Sequence, residues 1–446
     1  MRILQWSRLA ESERRAALER PVQQARGSIE SLVREVIEAV RARGDDALRE
    51  YTRRFDGVEL PELRVGAEEF AAARRALAAS ERAALERAIE NVERFHRAHG
   101  LEALSIETSP GVRCEWLYRP IGAVGLYVPA GSAPLPSAVV MLAVPARIAG
   151  CPQRVLCTPP DRAGRAHPAV LVAAELCGVE QVFKVGGAQA IAALAYGTDS
   201  IPKVDKVFGP GNAWVTAAKQ TVAADPLGAA CDMPAGPSEV MVLADETARA
   251  DFVAADLLAQ AEHDPNAQAI LVTPSGALAH SVDAALERQA AVLSRRAILA
   301  KSLTACRALL VEDLDMAVAV ANAYAAEHLI LEVREPRALL GRIVNAGSVF
   351  LGAWSPEPMG DYCSGTNHVL PTYGYARAYS GLGVADFLKR ITVQELTAAG
   401  LRALGPTAVT LAQLEGLDAH AAAVTCRLRA LEADGACAPS FPAERA

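Results

Sequence analysis

The chain has 446 residues, of which 51% are hydrophobic and 22% charged, and its formal net charge is -7. Because this length exceeds what one hydrophobic core usually holds, we expect two or more domains. The negative charge argues against nucleic acid or a membrane surface as a partner and favours a small-molecule substrate.

The nine cysteines are scattered along the chain and none forms a C-x-x-C pair, which is typical of reduced thiols in a cytoplasmic protein. The N-terminus turns polar after a few residues and lacks the apolar core of a secretory signal. No stretch reaches the roughly 20 apolar residues of a membrane-spanning helix. We therefore expect a cytoplasmic protein.

The N-terminal part of the chain is predicted to be helical. We treat residues 1–27 as a helical extension. Apolar residues then recur at helical spacing from Ser28 to about Arg43, and a second, charged helix is predicted from Glu68 to about His99.

From Arg113 onward, short apolar runs end in Gly or Pro and precede Ala-rich stretches, a pattern typical of βα units. It predicts an α/β fold with parallel sheets covered by helices. The strands are too many for one unit, so we divide them near Ser238 into two Rossmann-like domains. The predicted domains are 28–126 with 239–380, 127–238, and a helical C-terminal segment 381–446. The candidate strands are 123–129, 154–160, 181–187, 204–211, 239–245, 268–274, 307–312, 329–333 and 348–352.

Glycines mark two junctions between a predicted strand and a predicted helix, VFKVGGAQAIAAL and VFGPGNAWVTAAK. Backbone amides at such junctions can approach an anionic or nucleotide ligand closely. Neither junction matches the G-x-G-x-x-G dinucleotide fingerprint. Gln189 and Asn212 follow the glycines as candidate ligand contacts, but tight turns and, for Asn212, helix capping explain the same pattern.

Polar residues that could bind a metal lie at the end of the helix predicted in LLAQAEHDPNAQ. Gln260 and His263 are three residues apart, so both could face one metal ion. A His that caps the helix at the surface is the simpler alternative.

A candidate acid/base pair, Glu327 and His328, stands just before a predicted buried strand. The two can work together only if the preceding helix ends there, because neighbours on a helix point about 100° apart. A His that balances the helix dipole beside an exposed Glu is the alternative.

The segment from Trp354 to Tyr379 is rich in Gly, Pro and Ser and is predicted to be a long loop, a common place for functional residues. It contains Asp361 and His368, although Asp361 could simply form a turn. Further on, Glu415 and His420 could equally belong to an ordinary helix start.

These signals gain weight because longer stretches resemble the histidinol dehydrogenase family in the same order, from about Arg119 to Arg427. The stretches that carry the resemblance include KVGGAQAIAALAYGTDSIPKVDKVFGPGNAWVTAAK, DMPAGPSEVMVLAD, DLLAQAEHDP, EHLI, AGSVFLGAWSPE and GDYCSGTNHVLPTYGYAR. The resemblance implies a zinc-dependent, four-electron oxidation of L-histidinol to L-histidine through L-histidinal, with two NAD⁺ reduced.

The same resemblance implies roles for individual residues. Zinc, one ion per subunit, would bind to Gln260, His263, Asp361 and His420. NAD would contact Tyr127, Gln189 and Asn212. The catalytic pair would be Glu327 and His328. The substrate pocket would comprise Ser238, Gln260, His263, His328, Asp361, Glu415 and His420.

The family also implies an intertwined homodimer, in which the segment with Glu415 and His420 completes the neighbouring subunit's site. Three positions depart from the family's pattern: Ala130 replaces a glycine, Ala326 a frequent proline, and Cys231 a frequent aliphatic residue. None of the three is a proposed site residue, so we expect the reaction class to be unchanged.

Four alternatives stay open from the sequence. A relative of the same fold could oxidise another small alcohol, such as a sulfonated diol. A zinc hydrolase could use Glu327 to activate water, and a non-catalytic binding protein could retain the fold. A cysteine nucleophile, Cys231 or Cys363, could form a thiohemiacetal.

Overall fold

The computed structural model describes residues 1–20, 26–98, 100–130, 133–234 and 236–433. The chain forms two compact units, Met1–His99 with Ile121–Phe387 and Gly100–Pro120 with Leu388–Ala446. Within the described ranges, no helix is both long enough and apolar enough to cross a membrane. The cysteines of these ranges are free thiols.

The strands are numbered along the chain. They are β1 (Arg2–Gln5), β2 (Leu104–Ser109), β3 (Val112–Pro120), β4 (Ala123–Tyr127), β5 (Gln153–Cys157), β6 (Gln181–Phe183), β7 (Lys206–Phe208), β8 (Ala230–Cys231), β9 (Glu239–Ala244), β10 (Gln268–Thr273), β11 (Arg307–Leu310), β12 (His328–Glu332), β13 (Ser348–Leu351) and β14 (Leu388–Leu396).

The α-helices are numbered in the same way. They are α1 (Glu11–Ala17), α2 (Arg26–Arg43), α3 (Asp45–Asp56), α4 (Ala67–Ala76), α5 (Ala79–Ala98), α6 (Pro136–Ala149), α7 (Pro168–Leu176), α8 (Gly187–Tyr196), α9 (Ala213–Ala224), α10 (Ala250–Ala261), α11 (Gly276–Ala290), α12 (Arg296–Ser302), α13 (Leu314–Tyr324), α14 (Pro336–Leu340), α15 (Glu357–Tyr362), α16 (Ala398–Leu414) and α17 (Asp418–Ala433).

The first unit contains two parallel sheets. One has five strands in the order β6-β5-β4-β7-β8, and the other has six in the order β1-β11-β10-β9-β12-β13. Every residue of β4, β9, β10 and β12 is buried, because helices cover both faces of each sheet. The two sheets confirm the predicted α/β class and each of the candidate strands.

The second unit is built differently. Its sheet is antiparallel, in the order β14-β3-β2, and α16 packs against α17. Most side chains of β14 are exposed, so buried and exposed positions do not alternate along this strand.

The division into domains remains a prediction, but some of its details are wrong. Residues 2–5 form a strand rather than a helix, because Ile3 and Leu4 pack into the core while β1 pairs with β11. The predicted helical segment 381–446 contains β14, whose partner β3 lies far away in sequence. The apolar faces of α2 and α3 pack with the five-stranded sheet, and not with the sheet of 239–380.

Two element predictions also need correction. The helix predicted from Glu68 to His99 is two helices, α4 and α5, because Leu77 adopts an extended conformation between them. The loop predicted from Trp354 to Tyr379 contains α15, which follows Pro356; proline is favoured where helices begin.

The two sheets present their polar residues at opposite ends of their strands. Tyr127 ends β4, and the two glycine-rich junctions follow β6 and β7, so these residues share the carboxyl edge of the five-stranded sheet. In the six-stranded sheet, His328 begins β12 and Glu239 begins β9, its neighbour. That amino edge carries the candidate catalytic pair.

Candidate active site

The candidate catalytic pair is positioned by the end of a helix. α13 ends at Tyr324, and Ala325 adopts the left-handed conformation with φ of 56°, so Glu327 and His328 are no longer helical. Both side chains are buried, and the Glu327 carboxylate lies 3.7 Å from His328 Nδ1. The helix therefore ends where shared acid/base work requires it to end.

The backbone of Glu239 holds both members of the pair. Its amide N–H donates a hydrogen bond of 2.9 Å to Glu327 Oε2, and its carbonyl oxygen lies 3.3 Å from His328 Nδ1. The opposite ring atom, His328 Nε2, is buried 3.5 Å from Asp361 Oδ1 and has no hydrogen-bond partner among the residues that the structure describes. Nε2 is thus the ring nitrogen available to a ligand.

Gln260, at the end of α10, is fully buried beside His328. One end of its amide lies 3.0 Å from His328 Nδ1 and 3.2 Å from both Glu357 oxygens and the Glu239 carbonyl oxygen. Because the Glu357 oxygens and the Glu239 carbonyl oxygen are acceptors, this end is assigned as the NH₂ group. The amide oxygen of Gln260 is therefore at the other end of the group and makes none of these contacts.

A potential metal-binding cluster adjoins this pair. One ligand atom each from His263, Glu357 and Asp361 lies within 4.8 Å of the others. Asp361 Oδ1, like His328 Nε2, is buried and finds no hydrogen-bond partner in the described part of the chain. Buried polar atoms are normally satisfied, and imidazole nitrogens with carboxylate oxygens suit zinc, so the residues fit a bound zinc ion.

Electrostatics support the same interpretation. Burial raises the pKa of Glu327 to about 8 and that of Glu357 to about 8. Burial alone would lower the pKa of His328, but Glu357, Glu327 and Asp361 raise it to about 10. A cation bound among these groups would stabilise the charged forms of the acids and displace their protons.

Other predicted site residues lie in different surroundings. Ser238 is half-buried just before β9, and its carbonyl oxygen accepts a hydrogen bond from the Gln268 amide. Glu415 and His420 belong to the second unit, where Glu415 follows α16 and His420 lies in the first turn of α17. Both are exposed there.

The predicted NAD residues surround the two glycine-rich junctions. The Gly187 amide donates to the Tyr127 hydroxyl at 3.0 Å, and Gln189 is buried in the first turn of α8. Asn212 caps α9, since its Oδ1 accepts from the amides of Trp214 and Val215. Capping thus occurs at Asn212, and its role in NAD contact remains a prediction.

Sequence reasoning missed Glu357, which lies within 3.8 Å of His328 and contacts Gln260. Its position in the stretch AGSVFLGAWSPE, between Pro356 and Pro358, was the available signal. His368, the other candidate of the predicted loop, also has a buried Nε2 without a hydrogen-bond partner within the described ranges.

Comparison with known proteins points to one family. The sequence profile of "Histidinol dehydrogenase" matches residues 18–428. The histidinol dehydrogenase of Vibrio cholerae serotype O1 is 54% identical over 97% of this chain and 99% of its own length. That of Xanthomonas euvesicatoria pv. vesicatoria is 56% identical over 96% of this chain and 99% of its own.

A solved structure agrees with the sequence comparison. The crystal structure of histidinol dehydrogenase from Elizabethkingia anophelis superposes with a TM-score of 0.92 at 44% identity, over 97% of this chain and 99% of that chain. With the profile spanning most of the sequence, this chain belongs to the histidinol dehydrogenase family.

Proposed function

We propose that this chain oxidises L-histidinol to L-histidine through L-histidinal, with zinc in the active site and two NAD⁺ reduced. The family supports an NAD-dependent oxidoreductase of histidine biosynthesis. The single observation that carries the assignment to this site is the buried Glu327–His328 pair, whose free Nε2 faces Asp361 beside His263.

The proposed zinc ligands are Gln260, His263, Asp361 and His420. The first three lie in or beside the cluster described above, and Glu357 accepts the amide hydrogens of Gln260. Bound there, zinc would supply a Lewis acid able to anchor the imidazole and amine nitrogens of histidinol.

The protein's own residues then carry the proton transfers. His328 accepts the hydroxyl proton at Nε2 while the carbinol carbon loses hydride to NAD⁺, which gives the aldehyde. This step requires a neutral imidazole whose one proton is on Nδ1, from which it is donated to the Glu239 carbonyl oxygen, so that Nε2 is the acceptor. A cation bound among the surrounding carboxylates would lower the pKa of His328 toward its ordinary value and make the neutral form available.

Glu327 serves the second oxidation. Its carboxylate deprotonates a water that adds to the aldehyde carbon, and the hydrate loses a second hydride to a second NAD⁺ to give the carboxylate. The Glu239 amide fixes the Glu327 side chain for this task, since it donates to Oε2. Both oxidations therefore use one pocket.

We propose further that the protein acts as a homodimer with shared sites. Large apolar side chains are exposed on the helical segment that contains Glu415 and His420. Leu411 is 56%, Leu414 78% and Leu417 40% exposed, as expected of a surface covered by another chain.

A cysteine mechanism has less support. Burial raises the pKa of Cys231 to about 12, so the thiol is protonated at neutral pH and is a poor nucleophile.

The direct test is to incubate zinc-loaded protein with NAD⁺ and L-histidinol and to measure L-histidine by chromatography. L-leucinol, an amino alcohol without the imidazole, is the control. We expect histidine from histidinol and little turnover of leucinol. Equal rates with both alcohols, or no histidine, would contradict the proposal.

A further inference from the structure

Arg20 connects the N-terminal segment to the catalytic pair. It lies 219 residues before Glu239 in sequence, yet the two side chains form an ion pair that is 8% and 3% exposed. Buried arginines are uncommon unless they are fully paired. What this one contacts therefore indicates its role.

With the residues that the structure describes, the guanidinium makes three hydrogen bonds and one ring contact. Its Nε donates to Glu239 Oε1 at 2.5 Å, and Nη2 donates to Glu239 Oε2 at 2.8 Å, so the pair is bidentate. Nη2 also donates to the carbonyl oxygen of Tyr324 at 2.9 Å. The guanidinium carbon lies 4.0 Å from the centroid of the Tyr324 ring.

These partners flank the catalytic pair on both sides. Glu239 begins β9, and its amide and carbonyl hold Glu327 and His328 respectively. Tyr324 ends α13, and only Ala325 and Ala326 separate it from Glu327. Arg20 thus joins the strand that supports the pair to the helix end from which the pair emerges.

A lysine or an apolar residue could not make the same connection. The planar guanidinium presents several donors in a fixed fork, which fixes the direction of the carboxylate as well as its distance. Glu239 also accepts the Tyr373 amide at 2.8 Å and is nearly inaccessible to water. Without Arg20, its buried charge would lose its partner.

We propose that Arg20 is a positioning residue for Glu327 and His328, acting through Glu239 and Tyr324. The inference rests on the proposed function for what the pair does. It predicts that loss of the fork slows turnover while the binding of zinc and NAD is retained, because Arg20 contacts none of their proposed ligands.

The test compares Arg20→Met and Arg20→Lys with Arg15→Met in the zinc-loaded, full-length protein. Arg15 is the matched control, since it lies in the same segment and pairs with Glu11 at the surface, where the side chains are 77% and 80% exposed. Rates with L-histidinol and with L-histidinal, KM for NAD⁺ and zinc content are measured. Hydrogen exchange at the Glu239 amide is followed as a readout that does not depend on activity.

We expect kcat to fall about 10-fold in Arg20→Lys and about 100-fold in Arg20→Met for both substrates. KM for NAD⁺ and zinc content should stay within about twofold, and the Glu239 amide should exchange faster. Arg15→Met should match the parent.

Parental kcat together with parental exchange in Arg20→Lys would overturn the inference, as would an equal loss in Arg15→Met. If Arg20→Met does not fold, Arg20→Lys decides, because it keeps the charge and loses only the fork. If the parent itself does not oxidise histidinol, the proposed function fails, and hydrogen exchange still judges the positioning role.

Discussion

Glu357 shows how a residue beyond the proposed zinc ligands can determine their orientation. Its two carboxylate oxygens lie 3.2 Å from the Gln260 amide nitrogen, so they decide which end of that amide faces inward. Partners of this kind fix the orientation of metal ligands and raise metal affinity.

We predict that Glu357→Gln weakens zinc binding by about 10- to 100-fold. The amide introduced at this position can turn its own NH₂ group toward the NH₂ group of Gln260, which then loses an acceptor. Competition with a chelator measures the affinity. Glu246→Gln is the control, since Glu246 is exposed and pairs only at the surface with Arg334. Equal zinc affinity in Glu357→Gln and the parent would show that Glu357 does not orient Gln260.

Among the elements, the turn between β7 and α9 is held by a buried ion pair. Lys219 pairs with Asp232 and donates a hydrogen bond of 2.9 Å to the Gly209 carbonyl oxygen. Asp232 in turn accepts a hydrogen bond of 2.7 Å from the Gly209 amide. Gly209 itself has φ of +126°, and a Cβ there would meet the Tyr127 carbonyl oxygen. The turn that carries Asn212 is therefore fixed through both the amide and the carbonyl group of Gly209.

Lys219→Met should destabilise the fold by about 3–5 kcal/mol, because it leaves Asp232 buried without a counter-charge. The double variant Lys219→Met/Asp232→Asn should recover part of that loss. Urea unfolding measures both free energies. Lys203→Met is the matched control, as Lys203 is exposed and also donates to a main-chain carbonyl. A Lys219→Met loss no larger than the control would contradict the prediction.

The face between α10 and β12 predicts a dependence of stability on pH. Burial raises the pKa of Asp256 to about 7 and that of Glu332 to about 7, and the Glu332 carboxylate raises the pKa of Asp256 further. The folded state therefore keeps protons that the unfolded chain releases near pH 4. The resulting stabilisation is present at low pH and is lost as pH rises toward about 7.

Asp256→Asn removes one of these acids. At pH 8 the variant should exceed the parent in free energy of unfolding by on the order of 1–3 kcal/mol, and at pH 5 by less. Urea unfolding at the two pH values tests this, with the exposed Asp251→Asn on the same helix as the control. A difference from the parent that does not change with pH would refute it.

The pattern of apolar residues along the sequence predicted the buried strands well and the exposed strands poorly. Strands such as β9 and β10 are continuous apolar runs, so their sequence indicates burial on both faces. β14 has no such run, because it is paired through its backbone with the remote β3. The role of Glu357 and that of Arg20 depend on contacts between distant segments, which spacing along the chain does not reveal.

For the whole molecule, the proposed homodimer with shared sites predicts complementation. His263→Ala and His420→Ala should each be inactive alone. Mixed after reversible dissociation, they should regain roughly a quarter of the parental activity, since random pairing makes half the dimers hybrid and each hybrid has one intact site. Sedimentation confirms the dimer. No recovery in verified hybrids would mean that each subunit builds its own site.

The central claim is that one pocket performs both oxidations, with Glu327 activating water for the second. The most direct measurement is NADH formed per molecule of L-histidinol by the zinc-loaded protein and by Glu327→Gln at mildly alkaline pH. We predict two NADH per histidinol in the parent and a variant impaired mainly in the second oxidation, with L-histidinal accumulating. No NADH from the zinc-loaded parent, or a variant that completes both steps at the parental rate, would contradict the account.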